Sequence, residues 1–566
     1  MSVIVIGDVA AEDSYHLGDE AMTEMALDAL QARGATDITV VAKAPSVAEK
    51  RFGTGAVPRI GFAGMSASKQ KARLAAVQAA AIGGQTTTLP ATDPAWRVIE
   101  AFREASGLVI AGGGNVSSSF SNHLFERLAL SRLARHFDVP VAISSQTFGP
   151  LFWPEHEPLL AELFSLATAI GTREGYSHAL VNRVKPQQVK SVHTLDDAAW
   201  LEPREADVQR LATLGVPERF LIASLTYHRG TTGISREEYF GGLARTFDLL
   251  AQRFDLHVLL VPHVGAFEPA RASEDRWANE QIVSHSQSGR VVAMPLLTAR
   301  EDIALTRKAE LSLSTRYHPT VFGPSNEVPS LCITTSYYSS VRMFGALSNV
   351  GCGDLAIPWE VWTPELVADA VAEILERRDA VRGHLRQTVQ TSKAQSERWW
   401  DAIADTVIRG RAFADVPAFS SPSSFPFSGE WTQKPRIARP VSDLHARARV
   451  FESRERSLLE QKIKSLEKNL AREKKAKRVV ANAPASPVRP PVVVSQPPPA
   501  PHAQSASSRS PLRVLRETLA EKIAPSPNGA ERSRQVTDAL EGLVNDVLRG
   551  ASDTLKRARS GKKTKR

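Results

Sequence analysis

From residue 2 to about 410, short β-branched runs alternate with amphipathic helical patterns. This rhythm constrains the fold most, because it belongs to parallel sheets covered by helices on both faces. The strand candidates are 3–7, 37–42, 107–112, 141–145, 169–172, 219–225, 257–262, 291–294, 310–314 and 329–334. Helical periodicity lies between them at 18–33, 93–105, 122–136, 235–254 and 363–377. Residues 201–218 break the rhythm midway. They read as the join between two Rossmann-like halves, 1–200 and 215–412, with a ligand cleft between them. Residues 390–412, with Trp399 and Trp400, read as a closing helix that packs back across both halves.

Beyond 412 the character changes. Residues 413–445 read as an irregular linker rich in Pro, Ser and Phe. Residues 446–479 read as a charged helix with Leu459, Ile463, Leu466 and Leu470 at 4-3-4 spacing. Nine prolines at 484–511 predict an extended linker, and 512–566 read as a basic amphipathic helical tail. The expected class is thus α/β, two Rossmann-like domains followed by a helical and disordered C-terminal extension.

Charge separates the same parts. Residues 1–440 carry 43 Lys/Arg against 48 Asp/Glu, and 441–566 carry 27 against 13. Such a tail suits a solvated or protein-docking extension, or contact with an anionic membrane surface. The near absence of aromatic residues after Phe451 argues against single-stranded nucleic acid. Two cysteines, Cys332 and Cys352, exclude a disulfide framework. The start MSVIVIGDVAAED lacks the basic and long apolar stretches of a secretory signal, and no run of about 18 apolar residues follows. The expected location is cytoplasmic, with the tail as a means of peripheral attachment to the inner membrane face.

The chemistry-bearing residues cluster where strands end. STRYHPTVF at 314–322 puts Arg316 two residues before His318, and Pro319 suits the first position of a helix. If the extended backbone persists, Arg316 and His318 share a side: a planar cation beside a proton-transfer group, near a helix start that favours anions. A surface arginine with a capping histidine is the plainer alternative. Gly18, Asp19 and Glu20 open the first helix, and the loop AGGGNVSSS offers Gly112, Gly113, Gly114 and Asn115 as a surface for an oxyanion or sugar. That loop matches neither a Walker loop nor GxGxxG. Arg173 in GTREGYS is a second anion ligand candidate, Asp196 and Asp197 follow in LDDAAW, and His228 and His263 fall at strand ends of the second half. With no HxH, HExxH or Cys cluster, a protein-held transition metal is not expected.

Taken in order, GDEAM, AGGGN, QTFGP, TREGYS, LDDAAW and STRYHPTVFGPSNEVPSLCI, with a tyrosine-bearing segment after it, resemble the polysaccharide pyruvyl transferase family over roughly residues 1 to 350. The resemblance implies a glycosyltransferase-B-like fold and transfer of the enolpyruvyl-derived group of phosphoenolpyruvate to a saccharide, lipid-linked or free, as a pyruvate ketal. Phosphoenolpyruvate would be a substrate, and no cofactor or metal is implied. Arg316 would hold donor phosphate or carboxylate, His318 would be the general acid, and Asp19, Gly112, Gly113, Gly114, Asn115, Arg173 and His263 would line the substrate cleft. Where the family commonly shows a lysine soon after a tyrosine, this chain has SYYSSVRMFG, with Ser340 near that position and Arg342 two residues on. The same architecture also serves nucleotide-sugar glycosyltransferases, and a catalytically degenerate scaffold is the non-enzymatic alternative.

Overall fold

The structure, a computed structural model, describes residues 2–84, 89–227, 233–268 and 273–481, with side chains as far as 469. The chain divides into two units, Met1–Asn469 and Leu470–Arg566. Of the second, only a helix end reaching Ala481 lies among the described residues. The proline-rich segment 484–511, the tail 512–566 and His228 lie outside them.

Among the described residues sixteen strands follow in chain order: β1 Ser2–Ile6, β2 Tyr15–His16, β3 Ile38–Ala42, β4 Gly55–Pro58, β5 Ala105–Ile110, β6 Gly113–Val116, β7 Val141–Phe148 and β8 Ala169–Thr172. Then come β9 Lys190–His193, β10 Phe220–Ser224, β11 His257–Leu260, β12 Val264–Gly265, β13 Val291–Ala293, β14 Ser312–Ser314, β15 Ser330–Thr334 and β16 Ala356–Pro358. The first sheet runs β4-β3-β1-β5-β7-β8-β9 with β6 on β7, and the second runs β13-β11-β10-β14-β15-β16. All pairs within both sheets are parallel. Each has the doubly wound order in which the third, second and first strands lie to one side and the later ones to the other. Strands such as β1 (SVIVI) and β7 (VAISSQTF) are buried along their whole length, as sheets covered on both faces require.

A strand pair and a returning helix are among the devices that join the halves. Tyr15–His16 of the first pairs antiparallel with Val264–Gly265 of the second, and the Leu17 N–H donates to the His263 carbonyl at 2.9 Å. The helix Arg378–Val407 leaves the second half and lies on the first, where two strand glycines make room for it. A Cβ on Gly171 would stand 2.7 Å from the Trp399 ring, and one on Gly107 would stand 2.2 Å from the Val407 Cβ. The Trp399 indole donates to Ser144 Oγ at 2.9 Å and the Trp400 indole to Asp197 Oδ1 at 3.1 Å. Burial pushes the Asp197 carboxyl up to about 7, against the hydrogen bonds from Ser144 and Trp400.

The join at 201–218 holds no strand among the described residues and contains a helix, Glu205–Ala212. One boundary differs from the sequence reading. The helix expected at 446–479 starts at Gln433, carrying Pro440 inside it, so the second part of the expected linker 413–445 is helical. Phe425, Phe427 and Trp431 in that linker are buried, and the Trp431 indole donates to Glu373 Oε2 at 2.8 Å. The apolar side chains that made the segment look aperiodic are spent on anchoring it to the second half.

Candidate active site

In a doubly wound sheet, loops at the carboxyl ends of the strands diverge where the strand order reverses. Here the reversals fall between β1 and β5 and between β10 and β14, and the two clefts face each other. The first half brings Asp8 after β1, the glycine loop after β5 and Arg173 after β8; the second brings Arg316, Tyr317 and His318 after β14.

Residues 315–318 do not stay extended. They bend, held by Thr315 Oγ1 accepting from the Thr226 N–H at 2.9 Å and by Ser314 Oγ donating to the Arg316 carbonyl at 2.8 Å. The bend sends the three side chains three ways. Arg316 reaches buried Asp275, whose other oxygen accepts from the His263 and Val264 N–H groups at 3.0 and 2.9 Å, while Arg316 Nε has no partner among the described residues. His318 caps the helix Pro319–Ser325 and turns its ring onto the first turn of the helix Leu17–Ala32. A Cβ on Gly18 would stand 1.7 Å from the ring's Nδ1, so glycine is what lets the two halves close at this point. His318 Nε2 is buried with no partner among the described residues. Burial, and then the nearby Arg173, His263, Arg342 and Arg316, depress its pKa well below the usual value. Burial and those cations therefore favour the neutral ring, and an anion placed among the cations favours its protonation.

Tyr317 lies between two arginines, its ring 4.2 Å from the Arg173 guanidinium and 5.2 Å from that of Arg342. Arg173 is fixed by Thr147 Oγ1 at 2.8 Å and Asp196 Oδ2 at 2.6 Å. Arg342 stacks 3.6 Å over Tyr338, one helical turn earlier. Both project from the helix Tyr337–Asn349, whose start is set by reciprocal Ser336 and Ser339 caps. The Tyr338 hydroxyl donates to the Gly114 carbonyl. Gly114 is thus the glycine that faces the cleft: a Cβ there would meet Arg342 Nη1 at 2.7 Å and Arg173 Nη2 at 2.8 Å. Gly112 instead packs on Met22 and Ser145, and the Gly113 carbonyl accepts from Gln146 Nε2 at 2.5 Å. Ser340 is buried and bonded to Asp443; Arg342 is the residue that reaches the site.

Deeper in the first half, Asp8 pairs with Arg59, accepts from Asn115 Nδ2 at 2.8 Å and lies 3.3 Å from His123 Nδ1. Although burial opposes its charge, Arg59, His123 and Arg127 hold its carboxyl far below the ordinary range. Arg127, fully buried, keeps Nε and Nη2 without a partner among the described residues. Asp19, half-buried on the first helical turn, is pushed up to about 7 by burial and by Asp8, against Arg173 and Arg127. His263 is not in the open cleft; it lies behind His318, with Nε2 3.4 Å from Asp302.

The structure therefore brings Arg316, His318, Gly114, Arg173 and Asp19 to one cleft, with Asn115 on its Asp8 side. It adds Asp8, Arg59, His123, Arg127, Tyr317, Tyr338 and Arg342. Asp8 was readable as a strand-end acid, as Gly7 and Asp8 follow β1 directly. Arg59 and Arg127 come from segments with no local mark of a site.

A family model for polysaccharide pyruvyl transferase matches residues 16–337. No curated protein matches the chain. Solved structures similar to it include the Staphylococcus aureus MnaA-UDP co-structure, at 12% identity over 75% of this chain and 100% of that one with TM-score 0.46. A putative UDP-N-acetylglucosamine 2-epimerase from Listeria monocytogenes follows at 13%, 75%, 99% and 0.47. Sucrose-phosphate synthase from Thermosynechococcus elongatus stands at 13%, 71%, 99% and 0.44.

Proposed function

Because the chain belongs to the polysaccharide pyruvyl transferase family, we propose that it takes phosphoenolpyruvate as donor and forms a pyruvate ketal on two hydroxyls of a saccharide. The observation that carries this is His318 Nε2, buried beside Arg173, Arg316 and Arg342 with no hydrogen-bond partner among the described residues. A small donor with a phosphate and a carboxylate matches three guanidiniums, and its charge raises the pKa of the imidazole beside it.

His318 then gives its proton to the donor methylene carbon. Positive charge develops at the adjacent carbon as an oxocarbenium-like centre, and one saccharide hydroxyl attacks it, losing its proton to the imidazole that His318 has just freed. A second hydroxyl displaces inorganic phosphate from the same carbon, its proton leaving on the phosphate, and closes the ketal. Arg316 and Arg342 stabilise the leaving phosphate, and Arg173, braced by Asp196, holds the carboxylate. The acid acts only when the donor is present, because only then is it charged; this couples protonation to binding.

The test is phosphate release from phosphoenolpyruvate with cell-envelope saccharides as acceptor. Release that requires the acceptor and falls by about 10²–10⁴-fold in His318→Ala supports the reading. Donor binding at pH 7 to wild type, followed by calorimetry in buffers of different ionisation enthalpy, should show proton uptake that His318→Ala loses. Donor-independent activity on a nucleotide sugar, with no phosphate release, would replace it by glycosyl transfer.

A further inference from the structure

Next to the cleft lies a cavity of about 640 Å³, within the range that holds small ligands. One wall is Ser119, Trp153 and Tyr337; the other is the helix Gln433–Ala481, through Arg449, Ser453 and Gln461 among others. Cavity and cleft share their divider. The glycine loop turns Gly114 to the arginines and continues to Ser119 in the cavity, and the helix start gives Tyr338 to one and Tyr337 to the other. Phe120, whose ring is 5.8 Å from Tyr338, completes the partition.

The helix is fastened across the cavity. Arg454 stacks 4.0 Å over Trp153 and donates to both Glu155 oxygens at 2.7 and 3.0 Å. Arg449 reaches Glu360 at 3.1 Å, and Arg436 reaches Asp354 at 2.9 and 2.6 Å. Nearly all of the helix-side wall lies far beyond residue 337, where the family match ends.

We propose that this cavity binds the saccharide chain of the acceptor beyond the sugar that reacts, an assignment that rests on the pyruvyl-transfer reading. The lining mixes two aromatic rings with serine hydroxyls, a carboxamide, two guanidiniums and the Glu155 carboxylate. That combination suits a sugar, whose C–H faces pack on rings while its hydroxyls seek hydrogen bonds. A lipid chain would need a continuous apolar wall, and the aliphatic lining here is confined to Ala446, Val450 and Leu458. The position beside the partition lets an oligosaccharide lie in the cavity while its last residue reaches past Phe120 and Tyr338 toward His318. The C-terminal helix is thereby an acceptor-selecting wall.

The experiment uses full-length protein and size-fractionated oligosaccharides released from cell envelope by mild acid. Ser453→Trp fills the cavity from an exposed helix position, and Glu455→Trp adds the same ring outside it. Ser453→Trp should raise the KM for longer oligosaccharides about tenfold while the phosphoenolpyruvate KM stays within about twofold, and Glu455→Trp should match wild type. Hydrogen exchange of the wild type with the same fractions should slow in 446–461 and around Trp153. Unchanged acceptor KM in Ser453→Trp, or no protection there while phosphate release proceeds, overturns the cavity assignment and leaves pyruvyl transfer standing. Protection without any phosphate release keeps the saccharide cavity and overturns the donor.

Discussion

Asp19 shows how one carboxyl can set the working pH of the cleft. Burial and Asp8 raise it to about 7, so in the folded protein it is largely neutral at pH 6 and ionised at pH 8. Its folded value lies above the unfolded one, so its protonated form stabilises the fold below about pH 4, and that contribution is lost as pH rises through 7. Function follows the same sign. Ionised Asp19 puts a negative charge among Arg173 and Arg127 and opposes an anionic donor. The rise in the phosphoenolpyruvate KM from pH 6 to 8 should be about tenfold larger in wild type than in Asp19→Asn, the donor's own titration and the proton taken up by His318 cancelling in the ratio of the two proteins. A parallel rise in both would remove Asp19 from the site. At this scale the sequence showed what was local: Arg316 and His318 stand two residues apart at a strand end. It hid Tyr317, because the pattern implied an extended backbone and the hydroxyl bonds of Ser314 and Thr315 bend it. Arg127 was hidden for another reason: its helix carries an ordinary apolar face, and nothing local marks the position whose guanidinium reaches toward Asp8.

Among the elements, the first helix is the part whose placement the acid depends on. Its start is tied to the second half through the Leu17 N–H and the His263 carbonyl, and Gly18 then touches the His318 ring. Gly18→Ala puts a methyl where the ring nitrogen stands, and a buried ring has little room to give. Donor-dependent phosphate release should fall by about 10²-fold or more, with a stability loss of about 1–3 kcal/mol in denaturant unfolding. Full activity in that variant would mean that the ring need not lie where it does. The strands were legible because β-branched runs and fully buried sheets impose one pattern. The glycine loop was legible as a loop, but which glycine faces the cleft depends on Arg342 and Tyr338, about 220 residues away in the sequence. The start of the C-terminal helix was not legible, since Pro440 and the anchoring Phe425, Phe427 and Trp431 obscure any helical period.

Over the whole molecule, activity needs two halves that hold a common cleft, and Arg300 is the clamp that decides this. It sits on the helix Ala299–Thr306 of the second half, nearly buried, and donates to Glu24 at 2.8 Å and Asp28 at 2.7 Å on the first helix and to the Glu202 carbonyl at 2.6 Å in the join. Burial raises the Glu24 carboxyl, and Arg300 opposes that rise. Arg300→Ala leaves Glu24, half-buried, without its cation. The expected loss is about 3 kcal/mol, the low end for a broken buried pair because Asp28 is still 39% exposed. Without the guanidinium the Glu24 value climbs further above its unfolded one, so the stability it contributes when protonated is lost as pH rises through that value. The deficit of Arg300→Ala against wild type should therefore be larger at pH 8 than at pH 5. Calorimetry at the two pH values reads both quantities, and should show one main transition of the body in wild type splitting in the variant as the halves lose their coupling. An equal deficit at both pH values would mean that Arg300 acts by packing and not by charge. The first helix, which presents Gly18 and Asp19 to the cleft, would then be held by the β2–β12 pairing and the closing helix.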